Sequence, residues 1–197
     1  MLGVVGLGNP GSRYFASRHN IGFRVVSAFR RHHRLPGFER HGRSELSQGC
    51  LDGRDVLLAL PQTYMNRSGE AVLELVESTG LAPVDMLVVV DDVSLPLGRI
   101  RVRRGGGAGG HNGLSSIIEM LGDTGFPRLR VGVGGPGAGE DLAEYVLDDF
   151  AADEAEQVPG LVSTALDTVS TFLACGIDAA MNRFNAAGEL PAAEGEV

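Results

Sequence analysis

Apolar residues follow two different spacings along the chain. Unbroken apolar runs over residues 2–7 and 86–90 predict strands that are buried on both faces of a sheet, and residues 129–133, interrupted only by Arg130, predict another central strand. Apolar positions three or four residues apart predict a helix over residues 21–32, and a second helix over residues 65–79 is predicted to end at a glycine. Strands and helices therefore alternate, which is typical of an α/β fold.

Other segments add an antiparallel part to this sheet. Residues 44–51 and 54–60 flank Asp52-Gly53, a pair that favours the tight turn of a hairpin. Residues 100–103 alternate apolar and basic side chains, as a half-exposed strand does. Two more helices are predicted over residues 114–121 and 158–184.

We therefore predict a single-domain α/β fold, a three-layer sandwich in which a mixed, mostly parallel, twisted sheet carries helices on both faces. The domain is predicted to cover residues 1–185. Residues 186–197 are rich in Ala, Glu and Gly and are predicted to form a disordered tail.

The composition is typical of a compact soluble protein. Hydrophobic residues make up 43% of the 197 residues, yet no apolar run approaches the length of about 20 residues that a membrane span needs. The N-terminus lacks a basic segment and a cleavage site, so we expect a cytoplasmic protein with no membrane partner. Cys50 and Cys175 have neither a disulfide-framework spacing nor a metal-ligand spacing. Because there is no heptad repeat, we expect a monomer.

The net charge of −8 hides an asymmetry along the chain. Of the 25 acidic residues, 13 lie in residues 140–197, where Arg183 is the only basic residue. Residues 1–43 hold eight arginines against one acid, Glu39, and residues 99–104 add four arginines. Binding responds to local potential more than to net charge, so a basic face for nucleic acid is compatible with an acidic chain.

A glycine-rich segment, Gly6-Leu-Gly8-Asn-Pro-Gly11, follows the first predicted strand and matches the pattern of dinucleotide-binding loops. Its surroundings do not fit that function. Arginines and aromatic residues follow it where small apolar residues should open a helix, and an acidic residue about 20 positions on is missing. Arginines at that distance leave an NADP-binding alternative open, but we predict no cofactor.

Polar residues with chemical potential lie beside predicted strand and helix ends. Asn9 and Asp91 both follow predicted strands, where the functional loops of open α/β sheets gather. His19 brings an imidazole, and an ordinary imidazole pKa of about 6.5 lets that group take a proton from water at physiological pH. Asp91 would hold the other ring nitrogen and stabilise the imidazolium. With Asn66 and Asn112 as neutral hydrogen-bonding groups, this set indicates hydrolysis by water.

Each of these residues also has a plain structural interpretation. His19 near a helix start and Asp91 after a strand are typical of caps and turns, and Asn9 before a proline favours a turn. Their joint occurrence is what favours a function. Three other histidines lie among arginines without ligand spacing, so no metal site is predicted.

Three motifs in the chain resemble the signature of the bacterial peptidyl-tRNA hydrolase family. The likeness runs in order along the chain from Leu2 to about Asn185. The motifs are Gly6-Leu-Gly8-Asn9-Pro10-Gly11 with Tyr14 and Arg18-His19-Asn20-Ile21-Gly22-Phe23; Pro61-Gln62-Thr63-Tyr64-Met65-Asn66-Arg67-Ser68-Gly69; and Gly109-Gly110-His111-Asn112-Gly113-Leu114.

The resemblance implies an enzyme that hydrolyses the ester between the peptide and the 3′ ribose of peptidyl-tRNA. It implies that His19 activates the attacking water and that Asp91 orients His19, without a metal, a cofactor or a covalent intermediate. Asn9, Asn66 and Asn112 are implied as catalytic residues that hold the substrate, the water and the developing oxyanion. The implied substrate-binding residues are Tyr14, Asn20, Met65, Asn66, His111 and Asn112, and those for the tRNA 5′ phosphate are Arg103 and Arg130.

Departures from the family pattern concern the tRNA surface. Gly135 stands where many family members have a bulkier or basic residue, and Asp148-Asp149 stand where a glycine and a basic residue are frequent. These differences leave the extent of the tRNA-binding surface open. A non-catalytic RNA-binding protein on the same fold is the alternative function, which the retention of His19 and Asp91 disfavours.

Overall fold

A computed structural model describes residues 1–185 of the chain, and the predicted tail, residues 186–197, lies outside the described residues. The described residues form a seven-stranded sheet with the strand order β2-β3-β4-β1-β5-β7-β6. The strands are β1 (Leu2–Gly6), β2 (Glu39–His41), β3 (Ser44–Leu51), β4 (Arg54–Pro61), β5 (Met86–Asp92), β6 (Ile100–Arg103) and β7 (Arg128–Gly132).

The sheet is mixed, as predicted. β1 pairs in parallel with β4 and β5, and β5 pairs in parallel with β7, so the centre of the sheet is parallel. The outer pairings, β2 with β3, β3 with β4 and β6 with β7, are antiparallel. The four central strands point their carboxyl ends toward the same edge, where functional loops of such sheets gather.

Helices cover both faces of the sheet. α1 (Ile21–His32) and α6 (Val158–Asn185) pack on one face, and α2 (Ser68–Thr79) and α3 (Asn112–Leu121) pack on the other. Neighbouring β1 residues serve opposite layers: Val4 contributes to the core under α1 and α6, and Val5 to the core under α2 and α3. Both faces of a central strand such as β1 are therefore covered by helices and neither faces solvent. The predicted three-layer α/β sandwich is confirmed.

Some element boundaries differ from the prediction. β5 extends through Asp92, so Asp91 lies within the strand and not after it. The segment predicted to start a helix at Met65 is a 3-10 turn, Met65–Arg67, and α2 begins at Ser68. Gly80 ends α2 in the left-handed conformation, with φ of 68°, as expected for a helix-terminating glycine.

Three short elements were not predicted from the sequence. They have three to six residues each, too few to show a helical or strand period. They are β2, α4 (Leu142–Leu147) and α5 (Ala152–Ala155).

Within the described residues, one helical stretch, Ala152–Asn185, is long and apolar enough to cross a membrane by length and composition alone. Its buried side chains, among them Leu161, Val169 and Phe172, pack against the sheet, which is the position of a core helix. Gly176, with φ of 84° and ψ of 177°, interrupts the helical path of α6. The absence of a membrane partner stays a prediction.

Candidate active site

Glycines bring the start of α1 directly against the end of β1. A Cβ on Gly22 would lie 2.4 Å from the carbonyl oxygen of Val89 and 2.5 Å from that of Leu7. A Cβ on Gly6 would lie 2.4 Å from the carbonyl oxygen of Gly22. A side chain at either position would therefore push the two backbones apart. The 3-10 turn Arg18–Asn20, which precedes α1, is thereby held at the carboxyl ends of β1 and β5.

The same packing accounts for the glycine-rich loop. A dinucleotide site needs a helix N-terminus directly after such a loop. Here 3-10 turns at Ser12–Tyr14 and Arg18–Asn20 follow the loop, and α1 begins only at Ile21. Gly6 and Gly8 allow α1 to pack closely, because a Cβ on either would clash with Gly22 or Phe23. The structural context that the NADP-binding alternative requires is therefore missing.

His19, Asp91 and His111 form a buried cluster at this edge of the sheet. Nδ1 of His19 lies 2.7 Å from Oδ1 of Asp91, and Nε2 of His111 lies 3.0 Å from the same oxygen. His19 and His111 are each 8% exposed, and Asp91 is 3% exposed. Two predicted site residues that are distant in the sequence, His19 and Asp91, are therefore hydrogen-bonded in the folded chain.

The position of the proton on His111 follows from its hydrogen bonds. His111 is the N-cap of α3, and its Nδ1 accepts the backbone N–H groups of Gly113 and Leu114 at 3.1 and 3.2 Å. Because Nδ1 accepts, the proton of a neutral imidazole sits on Nε2, which then donates to Asp91. The fold thus fixes one tautomer of His111.

The tautomer of His19 follows from the same carboxylate. Asp91 is an acceptor when ionised, so Nδ1 of His19 carries a proton and donates to Oδ1. Nε2 of a neutral His19 then keeps its lone pair. That atom has no hydrogen-bond partner in residues 1–185 and is not sealed from solvent. The geometry leaves His19 with one basic nitrogen that water can reach.

Asp91 is held in its ionised form. Burial raises the pKa of the Asp91 carboxyl, but His111 and His19 lower it by more through their charge and hydrogen bonds, so the pKa lies well below its usual range. Asp91 therefore stays negative at any pH at which an imidazole titrates. Its negative charge lies 2.7 Å from Nδ1 of His19, where it can stabilise an imidazolium that forms during a reaction.

The same three residues are the group with metal-ligand spacing in the part of the chain that the structure describes. One ligand atom from each of His19, Asp91 and His111 can be chosen so that all lie within 4.8 Å of one another. A metal-bound imidazole nitrogen must offer a lone pair, and Nε2 of neutral His111 carries a proton. The cluster is therefore built for hydrogen bonds to Asp91 and would need a different protonation state to hold an ion.

A ring of hydrogen bonds fixes Asn9. Its backbone N–H donates to Oδ1 of Asn20 at 2.8 Å, and Nδ2 of Asn20 donates to its carbonyl oxygen at 3.0 Å. Oδ1 of Asn9 accepts the backbone N–H of Met65 at 2.8 Å. Nδ2 of Asn9 has no hydrogen-bond partner among the described residues, so it is a free donor. The Asn20 amide is occupied by this ring, so its observed contacts position Asn9.

The side-chain amides of the other two predicted asparagines, Asn66 and Asn112, form no hydrogen bond within residues 1–185. Asn66 lies in the Met65–Arg67 turn and Asn112 is the first residue of α3, and both are exposed. Met65 is buried, and its Sδ occupies the space that a Cβ on Gly113 would fill. Tyr14 is half-buried at the end of its 3-10 turn.

A cavity of about 370 Å³ opens on the cluster. His19, Asp91, His111, Asn112 and Arg130 line one part of it. The wall opposite comes from α4 and was not predicted from the sequence; its residues are Asp141, Leu142, Ala143 and Val146. The sequence does contain one indication of this helix, an aspartate just before it that is typical of an N-cap. In the structure the Asp141 side chain accepts the backbone N–H groups of residues 143 and 144.

Arg18, which the sequence analysis did not single out, anchors the α4–α5 segment beside His19. Its Nη1 donates to the carbonyl oxygen of Asp149 at 2.8 Å, and its Nη2 lies 2.6 Å from Oε2 of Glu154. The backbone N–H of Arg18 donates to the carbonyl oxygen of Asp148 at 3.0 Å. Asp148 and Asp149 thus hold Arg18 through their backbone, which any residue type could supply.

The two predicted phosphate-binding arginines lie on one face of neighbouring strands but line separate cavities. Arg130 pairs across the ladder with Arg101, and Arg103 pairs with Arg128. Arg130 lines the cavity at His19, and its Nε lies 2.8 Å from Oδ2 of Asp92. Arg103 is exposed and lines a cavity of about 490 Å³ with Arg99 and Arg101. Binding of a tRNA phosphate by Arg103 and Arg130 stays a prediction.

Comparisons with known proteins give one result. A family model described as peptidyl-tRNA hydrolase matches residues 3–192. The chain is similar to the peptidyl-tRNA hydrolase of Roseiflexus sp. (strain RS-1), with 46% identity over 97% of the chain and 88% of that protein. The peptidyl-tRNA hydrolase of Chloroflexus aurantiacus is 46% identical over 92% of the chain and 97% of its own length.

A solved structure extends the similarity to three dimensions. The crystal structure of peptidyl-tRNA hydrolase from Acinetobacter baumannii superposes with a TM-score of 0.88 at 36% identity. The match covers 94% of the chain and 95% of the crystallised protein.

Proposed function

The chain belongs to the peptidyl-tRNA hydrolase family and has that enzymatic activity, and from this premise we propose that it cleaves the ester between the peptide and the 3′ ribose with a water that His19 activates. The observation that carries the proposal is the orientation of His19. Its Nδ1 is held 2.7 Å from Asp91, while Nε2 is left open to solvent. A non-catalytic RNA-binding role does not account for this arrangement.

The proposed reaction has two proton transfers. Nε2 of His19 takes a proton from water as the water oxygen bonds to the ester carbon, and Asp91 stabilises the imidazolium. The ester C–O bond then breaks, and the imidazolium returns the proton to the ribose oxygen. The products are a peptide with a free carboxyl group and a tRNA with a free 3′ hydroxyl.

Asparagine amides are proposed to complete the site. Asn9, with a free Nδ2 on a fixed backbone, is suited to hold substrate or water in place. Asn66 and Asn112 are exposed donors that can reach the acyl oxygen as negative charge develops on it. The 3′ end of the tRNA is proposed to bind against Tyr14 and Met65. Asn20 and His111 are proposed to belong to the same substrate-binding set.

Direct attack by water is favoured over a covalent route. Oγ of Ser17 donates to the carbonyl oxygen of Tyr14, and Oγ of Ser68 donates to the carbonyl oxygen of Met65. Both hydroxyl groups therefore donate to backbone oxygens. An activated serine would instead donate to its general base, here His19. The Nε2–H tautomer of His111 disfavours a metal at the cluster for the reason given above.

The test of this proposal is release of labelled peptide from peptidyl-tRNA by the protein as isolated and after incubation with a chelator. We expect the two rates to agree within about twofold, because water activation by an imidazole needs only its open lone pair and no metal ion. A rate that vanished with the chelator and returned with added divalent metal would contradict the metal-free mechanism. Labelled peptide that stayed on the tRNA would contradict the reaction itself.

Recognition of the tRNA backbone is proposed to involve Arg103, which carries an exposed guanidinium on the basic strand β6. Arg103→Ala should raise KM several-fold with little change in kcat, because a phosphate contact contributes to binding before chemistry. The slope of log KM against log salt should fall by about one unit. KM measured over a series of salt concentrations checks this.

Arg40→Ala is the matched control for the Arg103 prediction. Arg40 is also an exposed arginine, on strand β2 at the opposite side of the sheet. Its removal should leave the salt slope unchanged. An Arg103→Ala protein with the wild-type slope would remove this residue from the tRNA-binding surface. Monomeric state and cytoplasmic location stay predictions.

A further inference from the structure

Arg128 is a buried arginine at the start of β7 that takes no direct part in the site described above. It is 1% exposed. Burial and the nearby charge of Arg130 lower the pKa of Arg128 to about 10, so it stays charged at neutral pH. Within residues 1–185 it forms no ion pair with a carboxylate. A buried charge without a counter-charge is destabilising unless hydrogen bonds compensate for lost water.

Backbone carbonyl groups supply that compensation. Nη1 donates to the carbonyl oxygens of Gly106 and Gly107, and Nη2 donates to those of Thr124 and Phe126 at 2.9 and 3.1 Å. The planar guanidinium also stacks on the Phe126 ring, with Cζ 4.3 Å from its centroid. The guanidinium is thus the point where two loops, one before α3 and one before β7, are tied together.

The first of these loops has little else to fix it. Five of the six residues at 105–110 are glycine, and Gly106, Gly109 and Gly110 have φ of 128°, 60° and 80°. Such a segment loses much conformational entropy when it is ordered. Besides those to Arg128, its hydrogen bonds are one from the Gly106 N–H to the carbonyl oxygen of Thr124 at 3.0 Å and two long ones to the carbonyl oxygen of Ala108. The His111 N–H donates to that oxygen at 3.3 Å, and Nη2 of Arg130 donates to it at 3.4 Å.

The loop leads directly into the site. Its next two residues are His111, which donates to Asp91, and Asn112, the proposed oxyanion donor. Movement of the loop by a fraction of a bond length would change the His111–Asp91 contact and the aim of the Asn112 amide. Misplacement on the order of 1 Å lowers catalytic rates about 100-fold.

We propose that Arg128 is a positioning residue for the hydrolysis, which fixes residues 105–110 and thereby holds His111 and Asn112 in their working geometry. The inference rests on the proposed function of that site. It predicts a defect in turnover, not in tRNA binding. A residue that only filled the core would lower stability without such a selective effect.

The first test replaces the guanidinium. Arg128→Lys keeps the charge without the planar fork, and Arg128→Met keeps only the length. At temperatures below the onset of unfolding, kcat should fall about 10- to 100-fold while KM stays within about twofold. Hydrogen exchange of the amides in residues 105–112 should speed up, with protection elsewhere unchanged.

The matched control is Arg54→Met. Nη1 of Arg54 also donates to two backbone carbonyl oxygens, those of Leu173 and Ala174, at 2.8 and 2.7 Å. Arg54 begins β4, so it lies at the sheet edge opposite to the site. We expect its removal to lower thermal stability and to leave kcat unchanged.

A second variant tests the loop without touching the core. Gly106→Ala places a side chain where φ is 128°, a conformation that L-residues avoid, while no heavy atom lies within 4 Å of the new Cβ. We expect a fall in kcat of about tenfold. Gly53→Ala in the β3–β4 hairpin, with φ of 78° and the same open surroundings, is its control and should keep wild-type kcat.

The proposal would be overturned by wild-type kcat in Gly106→Ala together with wild-type kcat in a folded Arg128→Lys protein. If Arg128 variants fail to fold, the Gly106→Ala and Gly53→Ala pair decides. Failure of the water mechanism would be seen separately, as turnover that persists without His19. The exchange of residues 105–112 does not depend on that mechanism.

Discussion

His19→Ala is expected to lower kcat for peptidyl-tRNA about 10²- to 10⁴-fold, the range that general acid–base catalysis contributes. His19 holds the one open basic nitrogen of the cluster, and water is a poor nucleophile without it. Affinity for tRNA should stay near that of the wild type, because His19 is 8% exposed and the proposed phosphate contacts lie elsewhere. Single-turnover kinetics and a separate tRNA-binding titration measure the two effects.

A conservative variant separates the base from the hydrogen bond. His19→Asn keeps an N–H group that can donate to Asp91 but has no titratable nitrogen. It should be as inactive as His19→Ala while restoring any stability lost with the contact. His41→Ala, on the exposed strand β2, is the control and should be fully active. Turnover above about a tenth of wild type in His19→Asn would rule out His19 as the general base.

Asp91→Asn is expected to lower kcat about 10²- to 10⁴-fold, by loss of the charge that stabilises the His19 imidazolium. The amide can still occupy the space between His19 and His111, so the fold should be retained. Asp55→Asn, an exposed position on β4, is the control. Wild-type kcat in Asp91→Asn would mean that His19 works without a carboxylate partner.

The pH dependence of kcat distinguishes the contribution of the Asp91 carboxylate from that of the His19 imidazole. The folded pKa of Asp91 lies below its usual range, so the stabilisation from its ionised form is present above the unfolded pKa and is lost only as pH falls through the folded pKa. The acid limb of kcat should therefore have a slope of one and report an imidazole alone. In Asp91→Asn the side chain at position 91 does not titrate, so any fall in kcat that comes from protonation of Asp91 at the acid end should be absent. A profile of the two proteins over the acid range checks this.

The sequence located the elements that have a strong period. The central strands β1 and β5 and the helix α1 appeared as unbroken or helical apolar patterns, because burial between two layers strongly favours apolar side chains. The short helix α4 escaped because six residues on the surface show no complete period. Residues of α4 nevertheless line the cavity that opens on His19.

Site residues were predictable by type but not by contact. A histidine and an aspartate beside strand ends indicated a base and its partner, and the resemblance to a family assigned their roles. Sequence order did not reveal that His111 would share the same oxygen of Asp91, or that Arg18 would hold the α4–α5 segment. It also did not reveal that the two predicted phosphate-binding residues, Arg103 and Arg130, line separate cavities.

The amino-acid pattern by itself determined the layers of this protein, because strand and helix periods and the glycines that end or kink them depend on local chemistry. It also supplied the side chains that the reaction needs. Only the tertiary structure decided which nitrogen of His19 is free. That choice depends on the carboxylate of Asp91, on the tautomer of His111 and on a loop held by Arg128, groups that meet only when distant parts of the chain pack together.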